Sequence, residues 1–133
     1  MNNLEVRVAL DRASEIFFPG EILEGQYAVD ALDASQIEAV EVSVVWYTEG
    51  TGDEDLAVHH FERISLDEGH VFDLRRPIRF STRLPNSPLS YDGIIVKIRW
   101  CVRVRVFLPR NKEWVSERLF RLGLVPDPQA VLS

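Results

Sequence analysis

Cysteine is almost missing from this chain: Cys101 is the single one among 133 residues. No disulfide can close within it, so folding does not depend on oxidation, and a reducing cytosol is the expected setting. Histidine is nearly as scarce, at three residues. His59 and His60 are adjacent, which in a strand points them to opposite faces, and His70 falls in a turn. Together with Cys101 they match none of the usual zinc spacings, and no metal or cofactor is expected. Positive charge is in deficit, with 15 Lys and Arg against 21 Asp and Glu and a net charge of −6. Nucleic acid is therefore not the expected partner, since phosphate binding runs on cationic surface. No window approaches the roughly 20 apolar residues that span a bilayer. The longest apolar region, Ile94 to Leu108, is broken by Lys97, Arg99, Arg103 and Arg105. Met1 to Leu10 has no basic stretch ahead of an apolar run, so no signal peptide is expected there. A phosphate-cradling loop is also lacking, because Gly50-Thr51-Gly52 runs into acids and not into a helix start with Lys.

What the chain does have is alternation. Hydrophobic residues at 46% and charged residues at 27% are ordinary for a globular domain. Apolar residues recur at every second position, the mark of half-buried strands. Leu4, Val6, Val8 and Leu10 set the pattern; Gly25, Tyr27 and Val29 share one face of the next strand. Val40, Val42, Val44 and Trp46 follow, then a strand from Leu56 to Leu66. Val71 to Leu74 and Ile78 to Leu84 read as strand pieces around Pro77, which cannot donate to a ladder. Ile94 to Leu108 is the clearest strand, apolar at every even position. Pro109-Arg110-Asn111-Lys112 turns it into a last strand, Trp114 to Val125. No helix of useful length is expected. The prediction is one domain over residues 1–125 with a short tail over 126–133, folded as an all-β, immunoglobulin-like antiparallel β-sandwich.

Three stretches carry a family resemblance. Phe17-Phe18-Pro19-Gly20-Glu21-Ile22-Leu23-Glu24-Gly25 resembles the early segment of arrestin-fold domains, where an aromatic precedes Pro-Gly-Glu and a glycine follows. Val44-Val45-Trp46-Tyr47-Thr48-Glu49-Gly50 is similar to the central strand after it. Phe80 with Pro85, Pro88-Leu89-Ser90-Tyr91-Asp92-Gly93 and Ile98-Arg99-Trp100 resemble the most distinctive stretch: a phenylalanine strand, Pro-x-Ser-Tyr-x-Gly, then Ile-Arg-aromatic. Taken in order over residues 4–125, they resemble the N-terminal lobe of arrestin-like proteins, including the bacterial sporulation-control relatives. The resemblance implies a sandwich of arrestin type and a non-enzymatic adaptor or scaffold that binds other proteins. The chain has room for one lobe, where a full arrestin has two. Asp11-Arg12 stands where signalling arrestins carry a phosphate-sensing lysine pair. The glycines and prolines in these motifs read as turn chemistry, with Gly20 and Gly25 taking backbone angles that other residues resist.

The residues that invite a chemical role are few. Lys97, Arg99, Arg103 and Arg105 line one face over about nine residues, roughly 30 Å. They form either a cationic strip for an acidic peptide, phosphopeptide or lipid headgroup, or one half of cross-strand pairs with acids on neighbouring strands. Cys101 sits among them, where positive charge lowers a thiol's pKa and packing raises it. Asp53, Glu54 and Asp55, with Asp67 and Glu68, invite a calcium reading that no known loop spacing supports.

The register of the last hairpin is open. If Trp114, Phe120, Leu122 and Leu124 face the core, Glu117 falls beside Arg103 or Arg105 and Arg118 turns inward as a candidate buried charge. The arrestin resemblance supports an arginine there. The opposite register buries Leu119, Arg121 and Val125. The functional expectation is a cytoplasmic adaptor domain, with an edge strand or apolar sheet face pairing with a second copy or another subunit. The alternative is a small-ligand or carbohydrate-binding sandwich, calcium-assisted, which needs exposed aromatics around a groove.

Overall fold

Alternating sequences bury one face only if two sheets stack, and the chain does this. The computed structural model describes residues 4–31, 34–50, 52, 54–65 and 75–124. The strands are β1 (Leu4–Leu10), β2 (Ile16–Phe17), β3 (Ile22–Ala31), β4 (Ala39–Gly50), β5 (Leu56–Ser65), β6 (Ile78–Arg83), β7 (Tyr91–Asp92), β8 (Val96–Leu108) and β9 (Lys112–Leu122). A single 3₁₀ turn, Ala34–Gln36, links β3 to β4. One sheet has the order β1-β3-β6; the other runs β2-β9-β8-β4-β5, with β7 beside β8. The expected strand over 71–74, the calcium candidates Asp53, Asp67 and Glu68, His70 and the tail lie outside the described residues.

The core is the seam between the sheets. From the larger sheet come Val40, Val42 and Val44 of β4, Trp100, Val102, Val104 and Val106 of β8, and Phe120 and Leu122 of β9. The smaller sheet answers with Leu23, Tyr27 and Val29 of β3 and Phe80 of β6. Trp100 is fully buried. Its ring lies 5.9 Å from Phe120, which meets Phe17 edge-on at 5.6 Å. Its indole Nε1–H donates to the Pro88 carbonyl at 2.7 Å, so the largest core side chain leaves no donor unpaired. The same loop is tied once more, where Ser90 Oγ accepts from the Leu122 N–H at 2.8 Å.

Four details depart from the sequence expectation. The sandwich is not wholly antiparallel: β2 meets β9 in parallel, because the chain switches sheets after β1 instead of turning back in a hairpin. The long strand starts at Val96. Gly93 N–H donates to the Val96 carbonyl at 3.0 Å and closes a turn whose corners are Ile94 and Ile95, both 72% exposed. At the other end β9 stops at Leu122, where Gly123 takes φ 78° and Leu124 turns out to solvent. Gly25 matters for space and not for backbone angle. Gly20 has φ 82°, as expected of a turn glycine, whereas Gly25 lies in extended β3. A methyl on Gly25 would stand 2.5 Å from the Ala9 carbonyl oxygen and 2.8 Å from Phe80 Cζ.

Overpacking against a backbone atom cannot be relieved by a side-chain rotation. Gly25→Ala is therefore expected to lower stability by about 2 kcal/mol, read as a lower urea midpoint at unchanged slope. An unchanged midpoint would show that β1 and β3 have slack at this crossing.

Candidate interaction surface

The outer face of the larger sheet carries Lys97, Arg99, Cys101, Arg103 and Arg105, but not Arg118. Alternation along β8 turns Val102, Val104 and Val106 inward, so Lys97, Arg99, Arg103 and Arg105 face out in one row. That row is not bare. Arg99 lies 3.1 Å from Asp92 and 3.7 Å from Glu49. Arg103 reaches Glu117 at 3.4 Å, and Arg105 reaches Glu113 at 2.7 Å and Glu41 at 4.0 Å. Lys97 stands opposite Glu49 on β4 and Asp92 on β7. Arg63 on β5 closes on Glu41 at 2.6 Å. The four cations are thus one half of a cross-strand ladder with acids of β4, β7 and β9. Asp92 is held below its usual range first by the Arg121 hydrogen bond at 2.6 Å, then by Arg99, Arg121 and Lys97 charge, against the opposing effect of desolvation.

Cys101 interrupts the cations at mid-row and is fully buried. Burial first, then its Sγ–H donating to Glu117 at 3.2 Å and the Glu117 charge, push the thiol up to about 12, while Arg103 pulls weakly the other way. This is the opposite of an activated cysteine.

Arg118 takes the inward register, opposite Val102 and with Phe120 and Leu122 facing the core. Glu117 accordingly lies opposite Arg103. Arg118 is nonetheless no buried charge. Its side chain is 41% exposed and reaches Glu15 at 3.3 Å; only its Nε is enclosed, without a hydrogen-bond partner. β9 lies next to the two-residue edge strand β2, and so little chain leaves the guanidinium open to water.

The histidines are not on opposite faces. The β4–β5 register shifts between Val44 and Val45, with His60 opposite Val44 and Val58 opposite Val45. His59 is the extra residue of this β-bulge. Its Nε2 bonds the Arg83 carbonyl at 2.8 Å, and its ring meets Trp100 edge-on at 6.0 Å, bridging β5 to β6 across the seam. His60 pairs with Glu62 at 3.0 Å. Among the described residues no group of three or more His, Cys, Asp or Glu is placed to hold a metal ion.

The bulge produces what sequence reasoning missed. It moves Leu56, Val58 and Phe61 together onto the outer face of β5, at 52%, 55% and 52% exposure. Across the sheet the row Val58–Val45–Cys101–Leu119 is buried at Val45 and Cys101 and half-exposed again at Leu119. The signal was present: Leu56 and Val58 are even, Phe61 is odd, and a change of phase within one apolar strand marks an inserted residue. Among the described residues β5 pairs on one side only, with β4.

Comparison with solved structures identifies the architecture. The chain is similar to the crystal structure of Spo0M, a sporulation control protein from Bacillus subtilis, at a TM-score of 0.62 and 12% identity, over 92% of this chain. The fold is arrestin-like. The chain spans 50% of the length of that Spo0M chain. No protein-family model matches the sequence, and no curated protein does. The arrestin resemblance read from Phe17–Gly25, Val44–Gly50 and Phe80–Val104 thus describes the fold that the coordinates show.

A thiol raised from 9.0 to about 12 presents about a thousandfold less thiolate at pH 8. Native Cys101 should therefore react with an aromatic disulfide reagent at least that much more slowly than the urea-unfolded chain. Comparable rates in the two states would contradict the enclosed, hydrogen-bonded thiol.

Proposed function

We propose that the chain is a protein-binding domain with no catalytic task, acting as an arrestin-like adaptor or scaffold in the cytosol. One observation carries the reading: on β5, an edge strand among the described residues, three large apolar side chains, Leu56, Val58 and Phe61, stand more than half exposed on one face. Scattered surface apolars are ordinary, but a contiguous set on an unpaired edge marks a surface to be covered. The surrounding chemistry fits. The arginines of the outer face are committed to carboxylates and the thiol is protonated, so neither supplies an activated group. The ladder also weighs against the basic row as a docking strip for an acidic ligand, since such a ligand must displace the protein's own acids. The protein that shares this architecture, Spo0M, is a sporulation control protein, which is compatible with an adaptor's role. The alternative of a carbohydrate or small-ligand module finds less support, because among the described residues the exposed rings of Phe61 on β5 and Trp114 on β9 have two strands between them.

The test is retention of cytosolic protein by the immobilised chain, wild type against Leu56→Asp/Val58→Asp. A stoichiometric partner held by the wild type and lost from the variant is expected, with calcium calorimetry and a glycan array both silent. Equal retention by both chains, or a saturable glycan or calcium signal, would count against the reading.

A further inference from the structure

Unpaired strand edges invite pairing, and proteins blunt them with charge, short length or bulges. The described edges of this sandwich differ in how far they are blunted. β2 is two residues long. β6 carries Arg79, which forks onto Asp11, and Arg83, which donates to the Gly20 carbonyl at 2.8 Å. β1 turns Glu5 and Arg7 outward. β5 alone combines ten residues of edge with an exposed apolar outer face.

We infer that β5 pairs antiparallel with β5 of a second copy, about a two-fold axis beside Phe61. The inference rests on the reading that this face binds protein, and it names the partner. The choice of axis follows from geometry and charge. In antiparallel pairing, opposite residues share a face, so a two-fold axis perpendicular to the sheet must pass beside a residue and never between two. An axis at Glu62 sets Glu62 against its own copy, and an axis at Arg63 does the same with two guanidinium groups; both are unfavourable. An axis at Ile64 pushes most of the apolar strip beyond the overlap. An axis at Phe61 brings no like charges together at its centre, before the bulge at His59 breaks the one-to-one register. Phe61 meets Phe61 of the copy on the outer face, and His60 falls opposite Glu62 of the copy, twice. The match between those two side chains is already realised within one chain, where His60 lies 3.0 Å from Glu62. Leu56 and Val58 of each copy then flank the aromatic pair, and two exposed strips become one. Pairing also joins the two larger sheets edge to edge, which satisfies the backbone groups that β5 turns away from β4.

The experiment is sedimentation equilibrium of the full chain from 1 to 100 µM, with site-specific crosslinking. The wild type should show reversible dimer formation in that range, and Phe61→Glu should weaken it at least tenfold while leaving the far-ultraviolet circular dichroism unchanged. Phe61→Tyr keeps the ring and should keep the dimer. Phe61→Cys should form a disulfide-linked dimer on mild oxidation, since residues opposite one another across a pair are within disulfide reach. Ser65→Cys should not, because the two copies of that residue would stand about 27 Å apart. Cys101 is buried and gives no competing crosslink. A monomer throughout the range, or equal crosslinking at positions 61 and 65, overturns the pairing. A monomer that still captures a cytosolic partner through Leu56 and Val58 would overturn only the self-pairing and leave the protein-binding reading standing.

Discussion

The pairing of β4 with β8 is the constraint on which the rest of this molecule hangs. Twelve residue pairs run without a shift from Ala39–Phe107 to Gly50–Val96. Both strands alternate, so this register turns Val40, Val42 and Val44 inward with Val102, Val104, Val106 and Trp100. It turns Glu41, Ser43, Val45, Tyr47 and Glu49 outward with Arg105, Arg103, Cys101, Arg99 and Lys97. A slip by one residue on β8 would drive four cations into the seam and expose the valines. Burying an unpaired charge costs several kcal/mol, and each valine withdrawn from the core loses about 1.5 kcal/mol or more. No neighbouring register competes.

From that pairing the outer surface follows. Once the cations are fixed on one face, acids on β4, β7 and β9 come opposite them, and the row becomes an internally neutralised ladder. Exposed pairs of this kind add little stability individually. Their consequence is different: each arginine of the row stands against a carboxylate of the same chain. Cys101, at the centre of the row, is enclosed by the same geometry, and burial and the Glu117 hydrogen bond raise its pKa. Among the described residues, β5 leaves Leu56, Val58 and Phe61 exposed at the edge of the larger sheet.

Much of this was legible in residues 4–10, 39–50 and 96–108, where strict alternation specifies the strand, its face and its partner type together. The hairpin at Pro109–Lys112 was equally plain, and it forms with Arg110 and Asn111 at φ 65° and 59°. What escaped was aperiodic. The β5 bulge shows in the sequence only as the change of phase between Val58 and Phe61, and the partner strand is what identifies His59 as the extra residue. Ile94 extends the period of β8, and the turn is fixed only by the Gly93–Val96 hydrogen bond. The sequence leaves the register of β9 open, with Arg118 a candidate buried charge in one of two; the structure takes that register yet leaves the side chain 41% exposed, because a face-by-face reading does not show how near a strand lies to the edge of its sheet. Gly25 was rightly expected to be special, but the reason, a clash with Ala9 and Phe80, belongs to tertiary packing.

Native-state hydrogen exchange tests the central claim most directly. If the β4–β8 register organises the fold, the amides of Val102 and Val104 in β8 and of Val42 and Val44 in β4 exchange only through global unfolding. They should be the slowest in the molecule, with β1 and β6 opening at lower free energy. Exchange of the β8 amides at the rate of those in β1, or faster, would show that the smaller sheet anchors the structure and would contradict the account.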